Sequence, residues 1–255
     1  MLRAAYGGAA PAFDRRMAAF ALIAVSLAAC AAPFDAAASR WAAASLNPVV
    51  RLVAAYTDIG KSTLYLLSSL GIALWATFFS WRGRKLSARA KLALIYSQAL
   101  FAFWAIALSG ILVNILKLIF ARARPKLLDA NGAYDFFSRW GTGYDFTSFP
   151  SGHATTMGAL AAILALWFPA LRALTFPACF VLAGSRVAAG AHYPSDVIIG
   201  FGFGFLFSVY LARALARRHS VFRLSDGKFL PKLQFSAAFS SFRKVSSRES
   251  PPKLD

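Results

Sequence analysis

Long apolar runs alternate with short polar or basic stretches along this chain. Six runs are apolar over roughly 18 residues or more, enough to cross a hydrocarbon core of about 30 Å as helices. They are Met17 to Phe34, Ser62 to Trp81, Leu92 to Phe120, His153 to Ala170, Ala173 to Gly190 and Val197 to Ala214. Little more than Leu171 and Arg172 separates the fourth from the fifth, which suits a tight turn between antiparallel helices. The pattern predicts an all-α integral membrane bundle of six transmembrane helices over residues 17–214. Residues 1–16 form an N-terminal lead, residues 215–255 a basic tail, and no room is left for a soluble domain.

Between the first two spans, Asp35 to Lys61 is moderately apolar. Trp41, Val49, Leu52, Val53 and Tyr56 could share one face of a helix lying at the interface, or the stretch could be a packed re-entrant loop. From about His219 the tail is rich in Ser, Lys, Arg and Phe, carries Pro251 and Pro252, and has no sustained period. It reads as disordered, with basic and Phe residues available to anionic lipid. Gly200 and Gly204 make one Gly-x-x-x-Gly, a signal of close helix packing.

Composition agrees with this pattern: 58% of the 255 residues are hydrophobic and 15% charged. The net charge of +18 would fit nucleic acid, but the aromatic residues fall inside apolar spans rather than on a polar basic face. Charge here is a topology signal. Arg3, Arg15 and Arg16 precede the first span, Arg82, Arg84, Lys85, Arg89 and Lys91 lie between the second and third, and the tail follows Arg213. Six spans put these segments on one side, and a Lys/Arg excess marks the cytoplasm. Both termini are then cytoplasmic, while the 121–152 loop and the stretch around His192 face outward. Leu27-Ala28-Ala29-Cys30 also matches a lipoprotein signal, which would remove the first span. Cys30 and Cys179 otherwise read as buried structural thiols.

Polar residues collect at the outer ends of the spans. Lys117 is followed by Arg122, Arg124 and Pro125. Phe149-Pro150-Ser151-Gly152-His153 opens the fourth span, where free backbone N–H groups and the positive helix end suit a phosphate, although Ser151 could simply cap the helix. Ser185-Arg186 closes the fifth span, and His192 and Asp196 lead into the sixth. A carboxylate four residues from a histidine can reach its ring, fix the tautomer and stabilise the imidazolium. If the segment after Lys117 is extended, Arg122 and Arg124 could both face this site; a helix would separate them. The aromatic loop from Lys126 to Thr147 is either a lid over the site or an interfacial anchor.

Lys117-x6-Arg124-Pro125, Pro150-Ser151-Gly152-His153 and Ser185-Arg186-x5-His192-x3-Asp196 together resemble the three-part motif of the type 2 phosphatidic acid phosphatase superfamily. The resemblance implies a membrane phosphatase working without a metal or other cofactor. His192 would attack phosphorus to form a phosphohistidine, Asp196 would orient its ring, and His153 would protonate the leaving group and then activate water. Lys117, Arg124, Ser151, the Gly152 N–H and Arg186 would hold the phosphate oxygens. Fixed positive charge suits this chemistry, since a phosphate monoester is nearly dianionic and its hydrolysis among the slowest reactions known. Expected partners are a lipid phosphate and the membrane, with no nucleic acid and no indication of oligomeric state. Phosphatidic acid, phosphatidylglycerol phosphate, a polyprenyl pyrophosphate and the phosphates of lipid A all fit, at the outer face of a bacterial inner membrane. A lipid phosphotransferase using the same intermediate is the alternative. A non-catalytic transporter or lipid-binding membrane protein fits less well; transporters keep polar residues near mid-membrane on broken helices, and here they lie at one surface.

Overall fold

The computed structural model describes residues 11–78, 85–137, 143–218, 221–224 and 228–233. It is helical almost throughout: α1 (Arg15–Ala31), α2 (Asp35–Ala44), α3 (Pro48–Ala55), α4 (Ser62–Phe78), α5 (Leu86–Phe120), α6 (Leu128–Asn131), α7 (Gly152–Trp167), α8 (Arg172–Ala188) and α9 (Pro194–Arg217). The helix boundaries follow from local chemistry. The Asp14 carboxylate accepts from the N–H groups of Arg16 and Met17 at 3.1 Å and starts α1. Asn47 does the same for α3, with Pro48 in the first position. Leu46, Asn47 and Pro48 therefore break the predicted interfacial helix into two. Its apolar face persists, since Trp41, Val49, Leu52 and Tyr56 are all exposed.

α7 is the centre of the bundle and packs against α9, α8 and α5. Ala154, Met157, Ala161 and Ala162 are among its buried residues. Glycine makes the α7–α9 approach possible. A Cβ added at Gly204 would lie 2.0 Å from the Thr155 carbonyl oxygen, and one at Gly200 would lie 2.4 Å from that of Ser151. From the other helix, a Cβ at Gly158 would lie 2.0 Å from the Phe201 oxygen. The Gly-x-x-x-Gly expectation therefore holds, with Gly158 as its counterpart. α1 lies along α9, and Phe20 stacks on Phe205 with centroids 5.1 Å apart.

Among the described residues, four helical stretches are long and apolar enough to cross a membrane: Arg15–Ala44, Leu86–Asn131, Pro169–Ala188 and Pro194–Arg217. A fifth arises if Pro48–Gly60 and Ser62–Phe78, bent by 40°, count as one broken span. The fourth predicted span, His153 to Ala170, is a helix of only 16 residues, because the chain leaves α-helix at Phe168 before Pro169. The predicted second span runs past Phe78 into residues that lie outside those described.

The tail departs from the expected lack of structure. Phe222–Arg223 (β1) pairs antiparallel with Lys232–Leu233 (β2). Phe222 meets Phe101 edge-on at 4.8 Å, and Phe229 stacks with Phe20 and Phe205. Arg213 fastens this end by donating to the Phe229 carbonyl at 3.1 Å and to Asp14 at 2.7 Å. Aromatic residues spaced along a polar segment have no helical or strand period, so this docking escapes a pattern search. His219 and residues 234–255 lie outside the described residues.

Gly204→Leu should force α7 and α9 apart and cost about 1–3 kcal/mol or more. Thermal unfolding in detergent should show a lowered midpoint, whereas Gly71→Leu, where an added Cβ meets nothing within 4 Å, should leave it unchanged.

Candidate active site

A cavity of about 300 Å³ opens where the end of α5, the start of α7 and the end of α8 meet. Lys117, Arg124, Gly152, His153, Arg186 and His192 all line it, so six of the eight predicted residues converge. The other two lie directly behind. Ser151 is buried and caps α7, accepting from the Ala154 N–H at 3.4 Å, and its own N–H donates to the Asp196 carbonyl at 3.1 Å. Gly60 closes the wall: a Cβ there would lie 3.1 Å from the His153 ring, which would have to give by a few tenths of an ångström.

Local structure aims each group. α5 stops at Ala121, whose φ of 41° is left-handed, and its N–H returns to the Lys117 carbonyl at 3.0 Å. That turn carries Arg122 and Arg124 across the mouth of the bundle. Lys117 sits in the last turn of α5, where a cation is favoured, and its ammonium donates to the Thr147 carbonyl. Arg124 lies over the Tyr144 ring at 3.8 Å and donates to the carbonyls of Tyr144 at 2.9 Å and Ala191 at 3.1 Å. Arg186 donates to the Thr57 hydroxyl at 2.9 Å, while its Nε has no partner. Among the described residues, none of these three cations is paired with a carboxylate.

His192 sits in the turn between α8 and α9. Burial pushes its imidazole down to about 3, so the ring is neutral at physiological pH. Its Nδ1 faces the Asp196 carboxylate at 3.7 Å, longer than a hydrogen bond, and has no other partner. His153 Nε2 is likewise buried and unpartnered. Asp196 is itself fully occupied, accepting from Ser148 at 2.6 Å, from the Tyr193 N–H at 2.9 Å and from Arg122.

Arg122 turns away from the cavity. It is 1% exposed and bridges two carboxylates, Asp196 and, at 2.8 Å, Asp35 of α2. Its remaining donors go to Ser195 at 2.8 Å and to the Ala133 carbonyl. Asp35 also accepts from the Ser195 N–H at 3.0 Å. Segment 121–124 is not helical, yet Arg122 and Arg124 diverge: Arg124 lines the cavity, while Arg122 is drawn to the buried carboxylates of Asp35 and Asp196.

The PAP2 superfamily profile matches residues 98–220. A "Lipid A 1-phosphatase" of Rhizobium johnstonii is 40% identical over 75% of this chain and 78% of its own. A protein of the same description from Rhizobium etli is 38% identical over 71% of this chain and 82% of its own. The chain belongs to the PAP2 superfamily. The fold is also like that of a transmembrane PAP2-type phosphatidylglycerolphosphate phosphatase from Bacillus subtilis. That match has a TM-score of 0.52 at 20% identity and covers 84% of this chain and 98% of the other. This PAP2 protein is a membrane lipid phosphatase, a phosphoric monoester hydrolase.

Sequence reasoning missed the groups that hold this PAP2 site in place. Thr57, Ser148 and Asp35 lie outside the three motifs, and Asp35 is 161 residues before Asp196. One signal was available: Asp35 is the only acidic residue between Asp14 and Asp58. A lone acid in such an apolar region calls for a buried cation.

Arg122→Ala should cost about 3–5 kcal/mol, because two carboxylates lose their counter-charge. The double variant Arg122→Ala/Asp35→Asn should recover part of that loss in thermal unfolding. Equal instability of the single and double variants would show that Asp35 does not depend on the guanidinium.

Proposed function

We propose that this phosphatase removes the 1-phosphate of lipid A through a phosphohistidine at His192. The observation that carries the chemistry is the set of three cations without carboxylate partners around two histidines. A phosphate monoester would supply the missing charge. Lys117, Arg124 and Arg186 would hold its equatorial oxygens, with Ser151 and the Gly152 N–H at the start of α7. Because Nδ1 of His192 faces Asp196, Nε2 is the atom left to attack phosphorus. Asp196 would stabilise the imidazolium that forms, as the alkoxide departs and takes a proton from His153. His153 would then draw a proton from water as that water attacks the phosphohistidine, releasing phosphate and restoring His192. The choice of lipid rests on the two rhizobial relatives, each of which this chain covers over most of its length.

Phosphate release should be fastest on lipid A and slower on phosphatidic acid and phosphatidylglycerol phosphate, and should persist in EDTA. Phosphorylated glycan or lipid acceptor in place of free phosphate would make the enzyme a phosphotransferase. His192→Ala should abolish turnover and labelling by radioactive phosphate. His153→Ala should be partly rescued on nitrophenyl phosphate, whose leaving group hardly needs a proton. Rescue of both variants to the same degree would show these roles to be misassigned.

The proposed topology is six spans in the inner membrane, with α7 as the fourth. Its 16 residues reach about 24 Å. Protein surrounds it, so it need not match the bilayer by itself. Residues 1–16 and 215–255 would be cytoplasmic, and the cavity would face outward. In a background lacking Cys30 and Cys179, a cysteine at Ala130 should react with an impermeant maleimide in spheroplasts, and one at Lys85 only after lysis. The reverse order would place the cavity in the cytoplasm.

A further inference from the structure

The end of the bundle away from the catalytic cavity carries a second pair of cavities. One, of about 790 Å³, is lined by Arg172, Lys228 and Lys232 beside Trp167 and Leu233, with no acidic residue among its described lining. The other, of about 390 Å³, is an apolar groove between α4, α5 and α7. Trp167 and Leu233 line both, so the two are contiguous. Along α5 the groove runs from Leu94 to Ile106, about 18 Å at 1.5 Å per residue. That is close to the depth of one leaflet, half of about 30 Å.

At the junction stands Gln98, which is 9% exposed. Its Oε1 accepts from the Trp167 indole N–H, which fixes the orientation of the amide. Nε2 is therefore a buried donor, and it has no partner. Such a donor in an apolar wall lacks an acceptor. A glycerophospholipid has the same order of groups as this site: an anionic phosphate, then an ester carbonyl that can accept one hydrogen bond, then an acyl chain.

We propose that this composite site holds an anionic glycerophospholipid of the adjoining leaflet. Its phosphate lies at Arg172, Lys228 and Lys232, an ester carbonyl accepts from Gln98 Nε2, and one chain fills the groove. Trp167 stands at the level of the head-group boundary, where indoles favour the interface. The lipid is not the substrate: its head group lies at the Trp167 end of α7, about 21 Å from His153 at 1.5 Å per residue, while the far end of the groove, at Tyr65 and Ile106, comes within about a helical turn of Thr63 and Gly110 in the catalytic cavity. It bridges α7 to the segment that carries β2 and ties that segment to the bundle.

The test is thermal unfolding of the full chain in neutral detergent, with dioleoyl phosphatidylglycerol or dioleoyl phosphatidylcholine added. Phosphatidylglycerol should give a saturable rise of a few degrees, because it binds only the folded state, and phosphatidylcholine should not. The rise should persist with vanadate present. Lys228→Glu/Lys232→Glu changes exposed side chains, and Ser68→Phe narrows the groove from its exposed rim. Both should lose most of the rise while hydrolysing nitrophenyl phosphate at the wild-type rate. An equal response to both lipids, a rise abolished by vanadate, or an undiminished rise in the Lys228→Glu/Lys232→Glu protein would each overturn the proposal. So would a raised KM for lipid substrate in Ser68→Phe with an unchanged phosphatidylglycerol response, which would make the groove a substrate subsite.

Discussion

Arg122, buried between Asp35 and Asp196, is the interaction on which the site depends. Taking three charges out of water costs several kcal/mol per ion unless every donor and acceptor finds a partner. Here Ser195, Ser148, the Tyr193 N–H and the Ala133 carbonyl complete the set. Phe136 and Tyr193 also place their rings within 4.8 Å and 4.2 Å of the guanidinium. The partners come from α2, the segment after α5, the turn before α7 and the start of α9. None of those four can shift without exposing a charge to an apolar wall, so their mutual positions are fixed.

Helix packing supplies the second constraint. Gly158, Gly200 and Gly204 let α7 and α9 touch through their backbones, and the Ser151 N–H then meets the Asp196 carbonyl. The start of α7, whose N–H groups suit an anion, is thereby locked to the carboxylate that faces His192. Small residues also keep the shared interface tight where lipid offers no hydrophobic drive of its own.

Much of this was legible in the chain. Lys117, Arg124, His153, Arg186 and His192 could be assigned to one place because polar residues in apolar runs have few reasons to exist. The close helix pair was legible from Gly200 and Gly204. Arg122 was not, since two arginines two residues apart look alike in a sequence, and only the tertiary partners separate them. Thr57 and Asp35 were hidden for a related reason: their partners, Arg186 and Arg122, are distant in the chain. The strand pair at Phe222 and Leu233 lacks any period because it is held by side chains docking on α5 and on the α1–α9 seam.

The two charge systems also depend on each other. Lys117, Arg124 and Arg186 could hold the proposed phosphate only if no carboxylate reaches them first. Asp196 is close enough to raise that problem, being one turn from His192 and behind the same cavity. Arg122 takes Asp196 and Asp35 together, and neither carboxylate forms an ion pair with the three cations. In the proposed reaction an entering phosphate would meet charge the protein has already desolvated, and the interaction would grow as negative charge builds on the transferring group. Arg122 therefore bears on the cavity without lining it, by holding the carboxylate that faces His192.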